Sequence, residues 1–124
     1  MKTINIKGKE YVPVVERVKE FHKQYKSGSI DTEIVEFGNR ISVKATVTLE
    51  TEDGSHRTFT GHSQAEYGQG MMGNVALEVA ETSAVGRALG FAGIGIDTGI
   101  ASADEMRKVK TVAGKPGEDE DLPF

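Results

Sequence analysis

The run RISVKATVTLE, residues 40 to 50, alternates without a break. Ile41, Val43, Ala45, Val47 and Leu49 point one way; Ser42, Lys44, Thr46, Thr48 and Glu50 point the other. A period of two over this length specifies a strand with one dry face and one wet face. Such a strand cannot stand alone, because its apolar row needs neighbouring strands and a covering layer. Asp53-Gly54 marks a turn immediately afterwards, and residues 56 to 67 (HRTFTGHSQAEY) read as the returning strand.

The register follows from the same alternation. A two-residue loop at Asp53-Gly54 would pair Leu49 with Thr58 and throw Phe59 onto the polar face. A three-residue loop over 52 to 54 pairs Val47 with Phe59, Ala45 with Gly61 and Val43 with Ser63, which keeps the apolar set together. It also gives Gly54 the left-handed position that such loops require. We therefore expect the three-residue loop. Residues 30 to 37 (IDTEIVEF) supply a third, less regular strand, joined through Gly38-Asn39.

Helical spacing brackets these strands. Tyr11, Val14, Val18, Phe21 and Tyr25 recur at intervals of three and four, and Pro13 suits a first turn, so a helix is predicted over 13 to 26, ended by Ser27-Gly28-Ser29. A second helix is predicted over 74 to 92 with Asn74 as N-cap. Leu77, Ala80, Ala84, Val85, Ala88 and Phe91 are expected to face the sheet. Val75, Val79 and Leu89 fall on the other side, an apolar strip that predicts a homo-oligomer. A short helix over 102 to 110 begins with Ser102 and has Glu105 at the capping-box spacing. The expected fold is α+β: a helix, a three-stranded antiparallel sheet, a long helix packed on one sheet face, a short helix and a disordered acidic tail. Residues 1–110 are expected to form the domain and 111–124 the tail.

Length and composition narrow the function. The chain has 124 residues, room for one modest core. It has no cysteine, which excludes disulfides and thiolate metal sites and fits a reducing cytoplasm. No apolar run has membrane-spanning length, and the strand-like start lacks the apolar stretch of a signal peptide. The net charge of −4 is unevenly spread. Residues 1 to 26 hold seven bases (Lys2, Lys7, Lys9, Arg17, Lys19, Lys23, Lys26) against Glu10, Glu16 and Glu20, whereas the end carries Glu118, Asp119, Glu120 and Asp121. A basic start is either a solvated helix face or the footprint of a polyanion.

Gly68 to Gly73, GQGMMG, matches the dinucleotide pattern G-x-G-x-x-G. No parallel strand ending in an acid follows the next helix, so that fold is excluded. The loop can instead offer backbone amides to phosphate, with Tyr67, Met71 and Met72 beside bases. His22, His56 and His62 are too scattered for a shared metal, and no nucleophile-and-base arrangement is evident. We expect no enzymatic activity, cofactor or metal. The polar sheet face, with Ser42, Lys44, Thr46, Thr48, Thr60, His62 and Gln64 and with Arg40 and Arg57 near its ends, is either solvent-facing or a nucleic-acid platform.

The stretch ALEVAETSAVGRALGFAGIGI (76 to 96), with DGSHRTFTGHSQAE (53 to 66) and KGKEYVPVVERVKEFHKQY (7 to 25), resembles phage single-strand annealing and single-stranded DNA-binding proteins distantly related to the Erf and Rad fifty-two families. The resemblance implies a helix, a β-hairpin, a further strand and a long helix, with single-stranded DNA held along a basic groove and assembly into rings or filaments. It places Arg87, in GRAL, at the DNA backbone. The DNA-binding residues expected on these grounds are Lys7, Lys9, Arg40, Lys44, Arg57, His62, Tyr67 and Arg87. The closing DEDLPF resembles the acidic tip of bacterial single-stranded DNA-binding proteins. By that resemblance Asp119, Glu120, Asp121, Leu122, Pro123 and Phe124 recruit replication and repair proteins. The expectation is therefore a non-enzymatic single-stranded DNA-binding protein of phage replication and recombination, working in the host cytoplasm. An annealing recombinase and a protein-interaction adaptor without DNA binding remain open.

Overall fold

A computed structural model describes residues 1–67, 75–96 and 99–106. The fold is α+β. The chain opens with a small hairpin, β1 (Ile4–Ile6) and β2 (Lys9–Tyr11), and continues into helix α1 (Val14–Gln24). Three long strands follow, β3 (Ser29–Phe37), β4 (Arg40–Glu50) and β5 (His56–Glu66), and then helix α2 (Ala76–Phe91). Residues 103–106 form one further helical turn. The main sheet is antiparallel in the order β3-β4-β5, with β4 in the middle.

The register at the β4–β5 hairpin is the one that the alternation dictates. Val47 opposes Phe59, Ala45 opposes Gly61 and Val43 opposes Ser63. The loop is closed by the Thr51 amide donating to the Ser55 carbonyl at 2.7 Å, and Gly54 sits at φ 85°. Ile41, Val43, Ala45, Val47 and Leu49 are all buried. Both helices cover this one face: Phe21 of α1 and Ala76, Ala80, Ala84, Ala88 and Leu89 of α2 join the strand residues in a single core. β3 departs from regularity between Ile34 and Glu36, where a bulge leaves Val35 extra.

Close approach explains the small residues of α2. A Cβ on Gly61 would lie 2.4 Å from the Ala88 amide nitrogen and 2.6 Å from the Ala84 carbonyl oxygen, so α2 rests directly on β5 where the strand has no side chain. The Ser102 hydroxyl accepts from the Glu105 amide at 3.2 Å, as the capping spacing predicts.

Four expectations are corrected. Tyr11 belongs to β2, and α1 begins at Val14 after Pro13; the Lys7-Gly8 turn, with φ of 53° and 82°, returns the chain before any helix starts. Arg57 opposes Leu49 and so lies on the helix side of the sheet, away from the polar face. Leu89 is fully buried while Phe91 is 48% exposed, the reverse of the expected facing. The strip of Val75, Val79 and Leu89 therefore does not exist as a surface, since Leu89 and Val79 both pack into the core. The Gly68–Gly73 motif, Met71, Met72, the Asn74 cap, residues 107–110 of the short helix and the tail from 111 to 124 lie outside the described residues.

Candidate nucleic-acid interface

The basic N-terminal segment divides sharply in space. Lys2, Lys7, Lys9, Lys19, Lys23 and Lys26 are all exposed. Lys9 lies 5.8 Å from the centroid of the Tyr11 ring, and Lys19 is 3.7 Å from Glu16. Arg17 points the other way and is fully buried. Its Nη1 donates to the carbonyls of Gly86 at 2.7 Å and Ile100 at 2.9 Å, and its Nη2 to those of Gly95 at 3.2 Å and Gly99 at 3.3 Å. Burial lowers the pKa of Arg17, offset by the charges of Glu105 and Asp104. Even so, a guanidinium stays protonated under any ordinary condition. Arg17 is thus a structural cation. It ties α1 to the segment that follows α2.

That segment repays the contact. Asp104 Oδ1 accepts from the Val14 amide at 2.7 Å, so the first turn of α1 is capped from 90 positions along the chain. The Ala103 amide donates to the Val12 carbonyl at 3.0 Å. Arg87 pairs with Glu105 at 3.3 Å, with Glu105 only 3% exposed and Arg87 28% exposed. The guanidinium of Arg87 also lies 5.7 Å from the Phe91 ring centroid.

The open face of the sheet carries half-buried Ser42, Lys44, Thr46 and Thr48 beside exposed His56, Thr58, Thr60, His62 and Gln64. Lys44 opposes His62 at its centre. Lys44 is also 3.9 Å from Glu33 of β3, and Arg40 is held by Glu36 at 2.9 Å. Hydrogen bonds from Arg40 first, then Ser42, lower the pKa of Glu36. Tyr67, 39% exposed, follows β5 and its amide donates to the Asn39 carbonyl at 3.2 Å.

The expected binding residues therefore occupy several surfaces. Arg40, Lys44 and His62 share the open sheet face; Arg57 lies on the helix side, 5.0 Å from the Phe59 ring centroid; Lys7 and Lys9 belong to the N-terminal hairpin; and Arg87 belongs to α2. The sequence reading missed Arg17, Asp104 and Glu105 as one electrostatic joint. For Arg17 a signal was present, because it lies three residues after Val14 and four before Phe21, on the stripe that α1 buries.

The described residues contain no helix long and apolar enough to cross a membrane. A search among curated proteins gives no match. One family does match, that of the Slr1353 N-terminal dsRNA-binding domain-like proteins, over residues 18–92. The matched span runs from within α1 through β3, β4 and β5 to the end of α2, leaving out the β1–β2 hairpin and the joint at 99–106. It is a different family from the annealing proteins that the sequence resembles, though both are classed by nucleic-acid binding. The match takes in more than half of the chain, with all three long strands and the whole of α2, so this protein belongs to the Slr1353 N-terminal dsRNA-binding domain-like family.

Proposed function

We propose that this protein binds single-stranded DNA with little base preference, as a non-enzymatic protein of DNA replication and recombination. The observation that carries this reading is the outward placement of all six lysines of residues 2 to 26, on and beside the β1–β2 hairpin and α1, while the one arginine among them is withdrawn into the core. Charge that can reach a ligand is thereby separated from charge that holds the fold. A surface of this kind binds a phosphate backbone through counterion release.

The family match favours a second reading, recognition of duplex RNA by shape. A duplex engages phosphates and grooves over a long span and so needs cations on several elements. Here no Lys or Arg occurs between Arg57 and Arg87, and the first turns of α2 present Glu78 and Glu81 to solvent. With the exposed lysines concentrated in residues 2 to 26, this distribution supports a single strand held by the N-terminal segment. The terminal Asp119–Phe124 would then recruit partner proteins, with Phe124 entering an apolar pocket and the acids steering approach to a basic rim.

The test is a set of salt titrations with oligo-dT, the matched DNA duplex and an RNA duplex. The expected result is tightest binding to oligo-dT and a linear fall of log affinity with log salt. Preference for the RNA duplex would replace this reading with the second. Binding to none of the three would favour an adaptor. Complementary-strand annealing in the same buffer would identify a recombinase.

A further inference from the structure

We propose that Phe91, positioned by Arg87, is a stacking platform for an unpaired base; this rests on the single-strand reading above. Phe91 is nearly half exposed at the last turn of the helix that otherwise closes the core. One exposed apolar residue needs no explanation by itself. Phe91 differs in being held. The Arg87 guanidinium lies against its ring, and that guanidinium is in turn fixed by the buried carboxylate of Glu105. The ring is therefore backed by a pinned cation, and immobilising it costs little further entropy when a base arrives.

The course of α2 puts a second pair of the same kind on this margin. Leu77 and Glu81 lie beside Ile34 and Val43, and Val43 opposes Ser63. One to two turns later, Ala84 and Ala88 lie over Gly61, which opposes Ala45. The helix thus advances along the sheet from the Val43–Ser63 row to the Ala45–Gly61 row. The backbone of Arg87 itself lies at Gly61, two positions from Phe59 on the same face of β5, and Arg57 lies against the Phe59 ring. Two ring-and-guanidinium pairs, Arg57 with Phe59 and Arg87 with Phe91, thereby follow the β5 edge. Rings that take bases, set among cations that attract phosphates, form a single-strand track with no sequence code.

The chain has no tryptophan, so Phe91→Trp places one reporter at the site. Its fluorescence is expected to be quenched, saturably, by oligo-dT, with affinity within about twofold of wild type. Phe91→Ala and Phe91→Leu should each bind oligo-dT about 5- to 150-fold more weakly at fixed salt while keeping the wild-type salt slope, because stacking and not charge is lost. Circular dichroism checks that all three variants fold. Wild-type affinity in Phe91→Ala, or its recovery in Phe91→Leu, overturns the stacking assignment while leaving single-strand binding in place. Absence of quenching in a Phe91→Trp protein that still binds overturns it equally. Failure of the wild-type protein itself to bind oligo-dT removes both the proposed function and this site.

Discussion

Replacing Arg17 with Met tests whether a buried cation joins the two ends of the domain. Met keeps much of the aliphatic stem, so the cavity left behind is small and the loss is mainly electrostatic. Four carbonyls, at 86, 95, 99 and 100, lose their donor, and Glu105 and Asp104 lose a neighbouring positive charge. Charged hydrogen bonds are worth about 1.5–3 kcal/mol each, but that sum does not apply, because burying the guanidinium already costs several kcal/mol. Removing one partner of a buried charged cluster costs about 3–5 kcal/mol, a large share of the roughly 5–15 kcal/mol that holds a domain. With a urea slope of about 1–2 kcal/mol/M, the unfolding midpoint should fall by roughly 1.5–5 M. Arg17→Lys keeps the charge but offers three donors from a point and no planar fork, and should lie between wild type and Met. A Met variant within about 0.5 kcal/mol of wild type would show that desolvation cancels the four bonds and that Arg17 does not secure the fold.

Gly61→Ala drives a methyl into the backbone of α2 at Ala84 and Ala88 and should cost about 1–3 kcal/mol, read from thermal melts; an unchanged melting temperature would refute the close approach. Asp104→Ala removes the long-range cap from the Val14 amide and should cost about 0.5–2 kcal/mol, with amide exchange rising first in the opening turn of α1. The Asp53 carboxyl is lowered to about 2 by the Thr51 hydroxyl and then by Ser55, against an ordinary 3.8, so its contribution is present above the ordinary value and is lost as pH falls through the folded one. Wild type and Asp53→Ala should therefore differ in melting temperature at neutral pH and converge near the acid end of that window. Deleting residues 116–124 should leave single-strand affinity intact or raise it at low salt, whereas Phe124→Ala should leave DNA binding unchanged and abolish capture of replication and repair proteins. Equal capture by wild type and Phe124→Ala would reduce the tip to a charged tail.

The strands were legible because their information is local. In residues 40 to 50 each side chain states its own face, and a single glycine at position 54 chooses between two loops, so the Val47–Phe59 register follows from period and turn chemistry alone. The Ser102 cap was legible for the same reason, since donor and acceptor lie three residues apart. Helix α2 was not, because it carries apolar or small residues on every side, and no stripe distinguishes buried Leu89 from exposed Phe91. Which of them meets the core depends on how the helix lies across β4 and β5, and the close approach allowed by the missing side chain of Gly61 fixes that only in three dimensions. Arg17 makes the point most fully. Its place on the apolar stripe of α1 was visible, but a lone arginine there is tolerable only if acceptors arrive from elsewhere. The carbonyls that accept from it lie 69 to 83 positions away in sequence, on α2 and the loop after it, which no local pattern connects to α1. Composition counted that arginine among the charges available to a polyanion; tertiary packing withdrew it and left the six lysines outside, because a buried guanidinium must find its oxygens inside the protein.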